Sequence, residues 1–257
     1  MEKKKGKAPI IQSLWIGEEL STMERLSIIS FLKNGHPFHL YAYKNIKGVP
    51  DKVIVKDANR IIPGEKIFKY RDHDSYAGFA NLFRYKLLLE KGGFWVDTDM
   101  VCIKPFQFTA DYVFASEIFV STEKKTMKQV TNCTIKVPAG SKIMGYCYEQ
   151  SLAKKPEELT WGETGPKLLS KAVFQQFKLA AHVFSPTTFC PIPYLFWKFF
   201  IDDNITPGET DKIKKLTNDS YAIHLYNDMW RRNNINKNDS FAPGSIFEKL
   251  KRIYLTD

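Results

Sequence analysis

Ala77-Gly78-Phe79-Ala80-Asn81-Leu82-Phe83-Arg84-Tyr85-Lys86-Leu87-Leu88-Leu89-Glu90-Lys91-Gly92-Gly93-Phe94-Trp95-Val96-Asp97-Thr98-Asp99 is the stretch on which the fold turns. Ala77 to Lys91 has the pattern of a helix, Gly92-Gly93 stops it, and Phe94-Trp95-Val96 is a short apolar run that reads as a buried strand. That strand delivers Asp97 and Asp99 to its carboxyl end, the edge of an open α/β sheet where ligands bind. In a regular strand the two carboxylates face one side, and a turn would splay them; either arrangement serves one cation. Oxygen ligands suit Mg²⁺ or Mn²⁺, which keep positions open for substrate phosphates. A bare Asp-x-Asp is ordinarily a solvated loop. The aromatic strand and the Gly-Gly stop in front of this one argue for a site.

Working outward, Pro9 to Trp15 reads as a first buried strand. Ser21-Thr22-Met23-Glu24 is a capping box that opens a helix with Met23, Leu26, Ile29 and Leu32 at helical spacing and a stop at Gly35. Phe38 to Tyr43 and Lys52 to Val55 read as strands two and three, with an irregular or short helical link from Asp57 to Pro63. The alternation predicts a parallel sheet with helices on its faces. Further strands are expected at Asp111 to Glu117 and Thr131 to Val137, and helices at Ser141 to Leu152 and Gly165 to Gln176. The aromatic, proline-rich stretch from Phe184 to Phe200 is expected to dock on the body and face an acceptor. Residues 1–257 are expected to form one domain, with 1–8 a flexible basic terminus.

The 257 residues are 44% apolar, enough for one substantial core. No apolar run approaches the ~20 residues of a membrane span. The charged opening, with Lys3-Lys4-Lys5, lacks the apolar segment of a signal peptide, which predicts a cytoplasmic protein. Four cysteines without a Cys-x-x-Cys pair predict free, mostly buried thiols. The net charge of +10 points to an anionic partner, but the basic residues are spread along the chain with no nucleic-acid-binding pattern, so no nucleic-acid partner is expected. The basic N-terminus and Ile246 to Leu255 either touch an anionic inner membrane face carrying a lipid-linked acceptor or are a frayed end and an ordinary packed helix. A glycosidase is disfavoured, because Asp97 and Asp99 on one strand end do not span the ~5 to 9 Å that such carboxylates need.

Ala80 to Asp99 resembles the Arg-Tyr, Gly-Gly, aromatic, Asp-x-Asp signature of the glycosyltransferases of the capsular-polysaccharide-synthesis and family 32 type, related to α-1,4-galactosyl- and mannosyltransferases. Ile11-Gln12-Ser13-Leu14-Trp15-Ile16-Gly17, Gly162-Glu163-Thr164-Gly165-Pro166 and His224-Leu225-Tyr226-Asn227-Asp228-Met229-Trp230 extend the resemblance over most of the chain. It implies a GT-A type α/β fold, a mixed sheet flanked by helices, with a nucleotide-sugar donor, UDP-linked in the first instance. It also implies Mn²⁺ or Mg²⁺, transfer with retention, and a glycan or lipid-linked saccharide acceptor in polysaccharide biosynthesis. By the same resemblance, Asp99 and His224 would hold the metal and Asp97 the metal or the ribose. Arg84 and Asn81 would meet the donor sugar or its phosphate, and Trp15 the base. Many relatives carry Ser-Asp where this chain has Ala80-Asn81; Asn81 keeps hydrogen-bonding capacity for a sugar-side role but loses a charge.

Each residue also has a plainer reading. Arg84 alone is an ordinary helical charge, His224 an ordinary structural histidine and Trp230, proposed to close over the donor, an ordinary core tryptophan. Glu163 is either a residue orienting the acceptor hydroxyl or the acidic first turn of a helix. Two other functions fit the same residues: a toxin-like protein glycosyltransferase and a non-catalytic nucleotide-sugar binding module.

Overall fold

The computed structural model describes residues 8–120, 125–203, 208 and 217–256. The Lys3-Lys4-Lys5 terminus lies outside them. Strands β1 (Ile11–Trp15), β2 (Phe38–Ala42), β3 (Val53–Asp57), β4 (Gly93–Val96), β5 (Met100–Cys102), β6 (Val113–Val120), β7 (Thr126–Val137) and β8 (Ala222–His224) alternate with helices α1 (Thr22–Lys33), α2 (Ala77–Lys91) and α3 (Lys142–Leu152). A six-stranded sheet runs in the order β3-β2-β1-β4-β7-β6, and β5 pairs with β8 in a small second sheet. The first four strands are parallel, whereas β7 is antiparallel to β4 and to β6. The result is the mixed, helix-flanked sheet expected, and the parallel reading holds for its first half only. The antiparallel half escapes an alternation argument because β6 and β7 form a hairpin rather than a crossover.

The first half is specified locally. Ser21 opens α1, its backbone N–H donating to Glu24 Oε2 at 2.8 Å. Inward-facing serines then fasten α1 to the small sheet: Ser27 Oγ donates to Met100 O at 2.6 Å, and Ser30 Oγ accepts from Cys102 N at 2.7 Å. Helix α2 is buried on most of its circumference, with Phe79, Phe83, Leu87 and Leu88 inside one core cluster that also holds Trp95. Each such side chain stabilises by about 1.5–3 kcal/mol over an exposed one. This burial, more than helix propensity, holds α2 against the sheet.

Two boundaries differ from the sequence reading. Strands β6 and β7 reach Val120 and begin at Thr126, beyond the expected limits. Thr126, Met127 and Lys128 are exposed, so no buried face imprints an alternation there. The expected helix at Gly165 to Gln176 is two wide turns, Glu163–Lys167 and Ala172–Gln176, around one α turn. Pro166 removes a backbone donor and Gly165 sits at φ −99°, ψ −120°, which no regular helix accommodates. Elsewhere Phe189, Trp197 and Phe200 dock the aromatic 184–200 segment into the core. The helix Ile246–Tyr254 turns Phe247, Leu250 and Tyr254 inward, the ordinary packed-helix alternative. All four cysteines are free and buried. Among the described residues no helix is long and apolar enough to cross a membrane.

The α2–β4 turn aims the site. Gly92 has φ +61°, and a Cβ placed on it would meet Ala139 N at 2.4 Å and the Pro138 carbonyl carbon at 2.8 Å. Backbone cannot retreat as a side-chain tip can. Gly92→Ala is therefore expected to destabilise the chain by at least about 2 kcal/mol, read as a lowered urea midpoint at unchanged m-value. A near-native midpoint would remove this turn from the determinants of the fold.

Candidate functional site

Val96 ends β4 and Met100 begins β5, so the carboxylates fall in the turn between the two sheets. Met100 N donates to Asp97 O at 3.1 Å across that turn. The turn splays the side chains toward different partners. Asp97 Oδ1 accepts from Arg84 Nη2 at 2.5 Å and from Trp95 Nε1 at 2.7 Å. Arg84 is 4% exposed, lies 4.8 Å over the Trp95 ring and gives Nη1 to Asn81 Oδ1 at 2.5 Å. Asn81 in turn accepts from Asn132 Nδ2 at 3.3 Å. The arginine expected at the donor is thus chiefly occupied in holding Asp97, and Asn81 in holding the arginine. Of the guanidinium nitrogens, Nε is buried without a hydrogen-bond partner, as is Asn132 Oδ1 beside it in the network.

Asp99 looks the other way. Its Oδ2 accepts the backbone N–H of Asn227 at 2.8 Å and lies 3.3 Å from His224 Nε2, while its backbone carbonyl accepts from Leu225 N at 3.0 Å. Residues 128 positions apart in the chain are joined by that N–H bond. Tyr226 between the two donors sits at φ 55°, a left-handed conformation a tyrosine adopts only under constraint. Burial works against the charged forms, yet each partner's charge outweighs it: Asp99 is held below the usual carboxylate range, and His224 is pushed up to about 10. The ring lies 4.1 Å from that of Tyr226.

One ligand atom from each of Asp97, Asp99 and His224 falls within 4.8 Å of the others. Two carboxylate oxygens and an imidazole nitrogen so disposed are a donor set for a hard divalent cation. A cleft of about 430 Å³ is lined by Asn227, Arg231, Asn234, Ile235, Asn236 and Lys237. It is tied to Asp99 through Asn227 and to the end of β1 through Lys237, whose Nζ lies 5.5 Å from the Trp15 ring. Trp15, half-buried, donates its indole N–H to Glu19 O. A larger cavity of about 770 Å³ lies along Gln12, Tyr41, Gly93 and Phe94; neither cavity is lined by Asp97 or Asp99, and the smaller one adjoins Asp99 through Asn227.

Two expected residues are placed elsewhere. Trp230 is fully buried, donates to Leu225 O at 2.9 Å and packs on Phe241 and Phe247; no face of it is free for a donor. Glu163 pairs with Lys154 at 2.6 Å and accepts from Thr160 N at 3.1 Å, which draws its carboxyl below the usual range. Through these contacts it braces its own loop. That loop reaches the site through glycine instead: a Cβ on Gly165 would lie 2.9 Å from Asn81 Nδ2. Arg231 and Arg232 both pair with Asp228.

Glu117 went unnoticed in the sequence. It is buried on β6, accepts from Gln129 Nε2 at 2.9 Å, and burial raises its carboxyl against the pull of His224. The available signal was one acidic residue inside the apolar run Val113-Phe114-Ala115-Ser116-Glu117-Ile118-Phe119-Val120.

Two family models match. A "Glycosyltransferase sugar-binding region containing DXD motif" matches residues 20–119, and an "Alpha 1,4-glycosyltransferase conserved region" matches residues 138–252. No curated protein matches. Among solved structures, "PaToxG Glycosyltransferase" is similar at 18% identity and a TM-score of 0.48, covering 84% of this chain and 90% of that one. "WbbM bifunctional glycosytransferase apo structure" is similar at 10% identity and a TM-score of 0.45, covering 99% of this chain and 53% of that one.

The Arg84–Asp97 pair makes a stability prediction independent of activity. Asp97→Ala leaves a guanidinium charge in a buried position and is expected to cost about 2–4 kcal/mol in urea unfolding, with Arg84→Met added to it restoring at least half. Strictly additive losses would mean that the two charges do not depend on each other.

Proposed function

We propose that this chain, a glycosyltransferase with the DXD sugar-binding region, moves a hexosyl group from a UDP-linked donor to a glycan or lipid-linked saccharide acceptor with Mn²⁺ or Mg²⁺ held by Asp97, Asp99 and His224. The observation that carries the reading is the convergence of those three ligand atoms, brought together from two distant parts of the chain. When bound, such a cation supplies positive charge to the leaving diphosphate.

The protein's own contributions are orientation and charge. Arg84 and Trp95 hold Asp97 by one oxygen, and the Asn227 N–H holds Asp99 by one oxygen. Both carboxylates are therefore positioned before any ligand arrives, and little reorganisation is left for the reaction. The cleft beside Asn227, with Arg231 and Lys237 on its wall, suits a diphosphate. Trp15 beyond Lys237 suits a nucleobase, stacked against the half-buried indole. Arg84, buried behind Asp97, supplies its positive charge to the donor side of the site through that carboxylate. A net charge of +10 suits an anionic, lipid-linked acceptor. Transfer proceeds with retention, the leaving phosphate oxygen taking the proton of the acceptor hydroxyl; no separate base is assigned.

The test is release of free nucleoside diphosphate from a panel of UDP- and GDP-sugars with Mn²⁺. One donor is expected to give metal-dependent release, and Asp99→Asn is expected to lower kcat/KM at least about 100-fold, equivalent to about 2.7 kcal/mol. An Asp99→Asn chain as fast as the native one would exclude this metal-site reading.

A further inference from the structure

His224 has a second ring nitrogen, and it faces sulfur. Cys133 on β7 and Cys190, just past the short helix Pro186–Phe189, place their Sγ atoms 3.5 Å apart, and Cys190 Sγ is 4.0 Å from His224 Nδ1. A ligand atom from each of Cys133, Cys190 and His224 lies within 4.8 Å of the others. Both thiols are 1% exposed, so this trio occupies the core beneath the Asp97–Asp99 turn.

The sulfur separation discriminates between two fates of a thiol pair. A disulfide needs ~2.05 Å, so the sulfurs would have to close by about 1.5 Å. Two thiolates on one tetrahedral cation, each at ~2.3 Å, stand about 3.8 Å apart, so they need open by only about 0.3 Å. The distance from Cys190 Sγ to Nδ1 needs a comparably small closure, from 4.0 Å to about 3.6 Å, and Cys133 Sγ starts within 4.8 Å of the ring. Charge favours the same outcome: a divalent cation with two thiolates and a neutral imidazole has no net charge, which is what burial tolerates.

A separate observation marks the spot as incomplete. The Tyr226 hydroxyl is buried with no hydrogen-bond partner, although its ring packs against that of His224 at a 41° tilt and its backbone is held at φ 55°. An unsatisfied buried hydroxyl is destabilising. That cost is relieved if a ligand or its coordinated water occupies the neighbouring space.

We propose that Cys133 Sγ, Cys190 Sγ and His224 Nδ1 form a second cation site, for a thiophilic metal such as Zn²⁺, with water at the fourth position bonded to the Tyr226 hydroxyl. On loading, two S–H bonds and the Nδ1–H bond of the imidazolium give way to two metal–sulfur bonds and one metal–nitrogen bond, and three protons pass to solvent. The imidazole then keeps its hydrogen on Nε2, directed at Asp99 Oδ2. Sulfur selects the soft ion and carboxylate the hard one, and a single ring is shared between the two sets. If the hard-metal reading of Asp97, Asp99 and His224 is also right, Zn²⁺ loading weakens Mn²⁺ binding, because a protonated Nε2 offers no lone pair. The soft site itself stands without that reading.

Titration of the metal-free chain with Co²⁺, followed by absorption, separates the two sets. We expect one equivalent to give an intense near-ultraviolet thiolate-to-cobalt band with tetrahedral visible bands, both erased by one equivalent of Zn²⁺. The bands persist in Asp99→Asn and in the double variant Cys102→Ser/Cys147→Ser, and are lost in Cys133→Ser and in Cys190→Ser. Cobalt bound without a thiolate band, or no cobalt bound, overturns the proposal on the native chain alone. A band surviving in folded Cys133→Ser or Cys190→Ser overturns it equally. Should those two variants fail to fold, loss of the native band in Cys102→Ser/Cys147→Ser would be the result that sinks it.

Discussion

A guanidinium that is almost wholly out of water needs a counter-charge, and meeting that need for Arg84 organises the middle of this protein. An uncompensated buried ion costs several kcal/mol, more than any single apolar contact around it returns. Asp97 supplies the charge, Trp95 a ring face and Asn81 an oxygen, and all lie within one helix–turn–strand unit. The strand end is held in position because the helix cannot shift without exposing or isolating that charge. The glycine at position 92 lets the chain reverse so tightly that helix and strand can meet at this pair, against backbone that leaves no room for a side chain.

The second carboxylate extends the same logic over a longer distance. Asp99 is also buried, and its partners come from a segment more than a hundred residues downstream. The backbone of Tyr226 is bent into a left-handed conformation so that two successive parts of that segment, Leu225 and Asn227, present N–H groups to one residue. Local strain of this kind persists where surrounding contacts over-determine it, and here the core packing of Trp230 and Phe247 provides that support. Trp230 serves the site from behind, as a wall, rather than from the front.

Much of this was legible in the chain. The capping box at Ser21, the fifteen residues of α2, the stop at Gly92 and the aromatic strand β4 are local patterns, each set by backbone propensity and the spacing of apolar groups. The Asp-x-Asp at the strand's end and its likeness to a known signature pointed to the correct class of enzyme. What failed did so for identifiable reasons. Trp230 and Glu163 were assigned roles from their place in a motif, but a motif does not say which way a side chain faces. The wide turns at 163–176 follow from Pro166 and Gly165 acting on a helical pattern that periodicity alone reads as regular.

Sequence alone determined the first half of the sheet, the helix that packs on it and the presence of two carboxylates at a strand's carboxyl end, because these depend on neighbours within a few turns of chain. Only the tertiary structure decided what those carboxylates meet. The approach of His224 to Asp99, of Cys133 to Cys190, and of the Cys190 sulfur to the other nitrogen of the same imidazole depends on the antiparallel β7 and on the pairing of β5 with β8. Those pairings join residues far apart in the chain, and the free energy that selects them comes from burying apolar surface over the whole molecule, which no local pattern records.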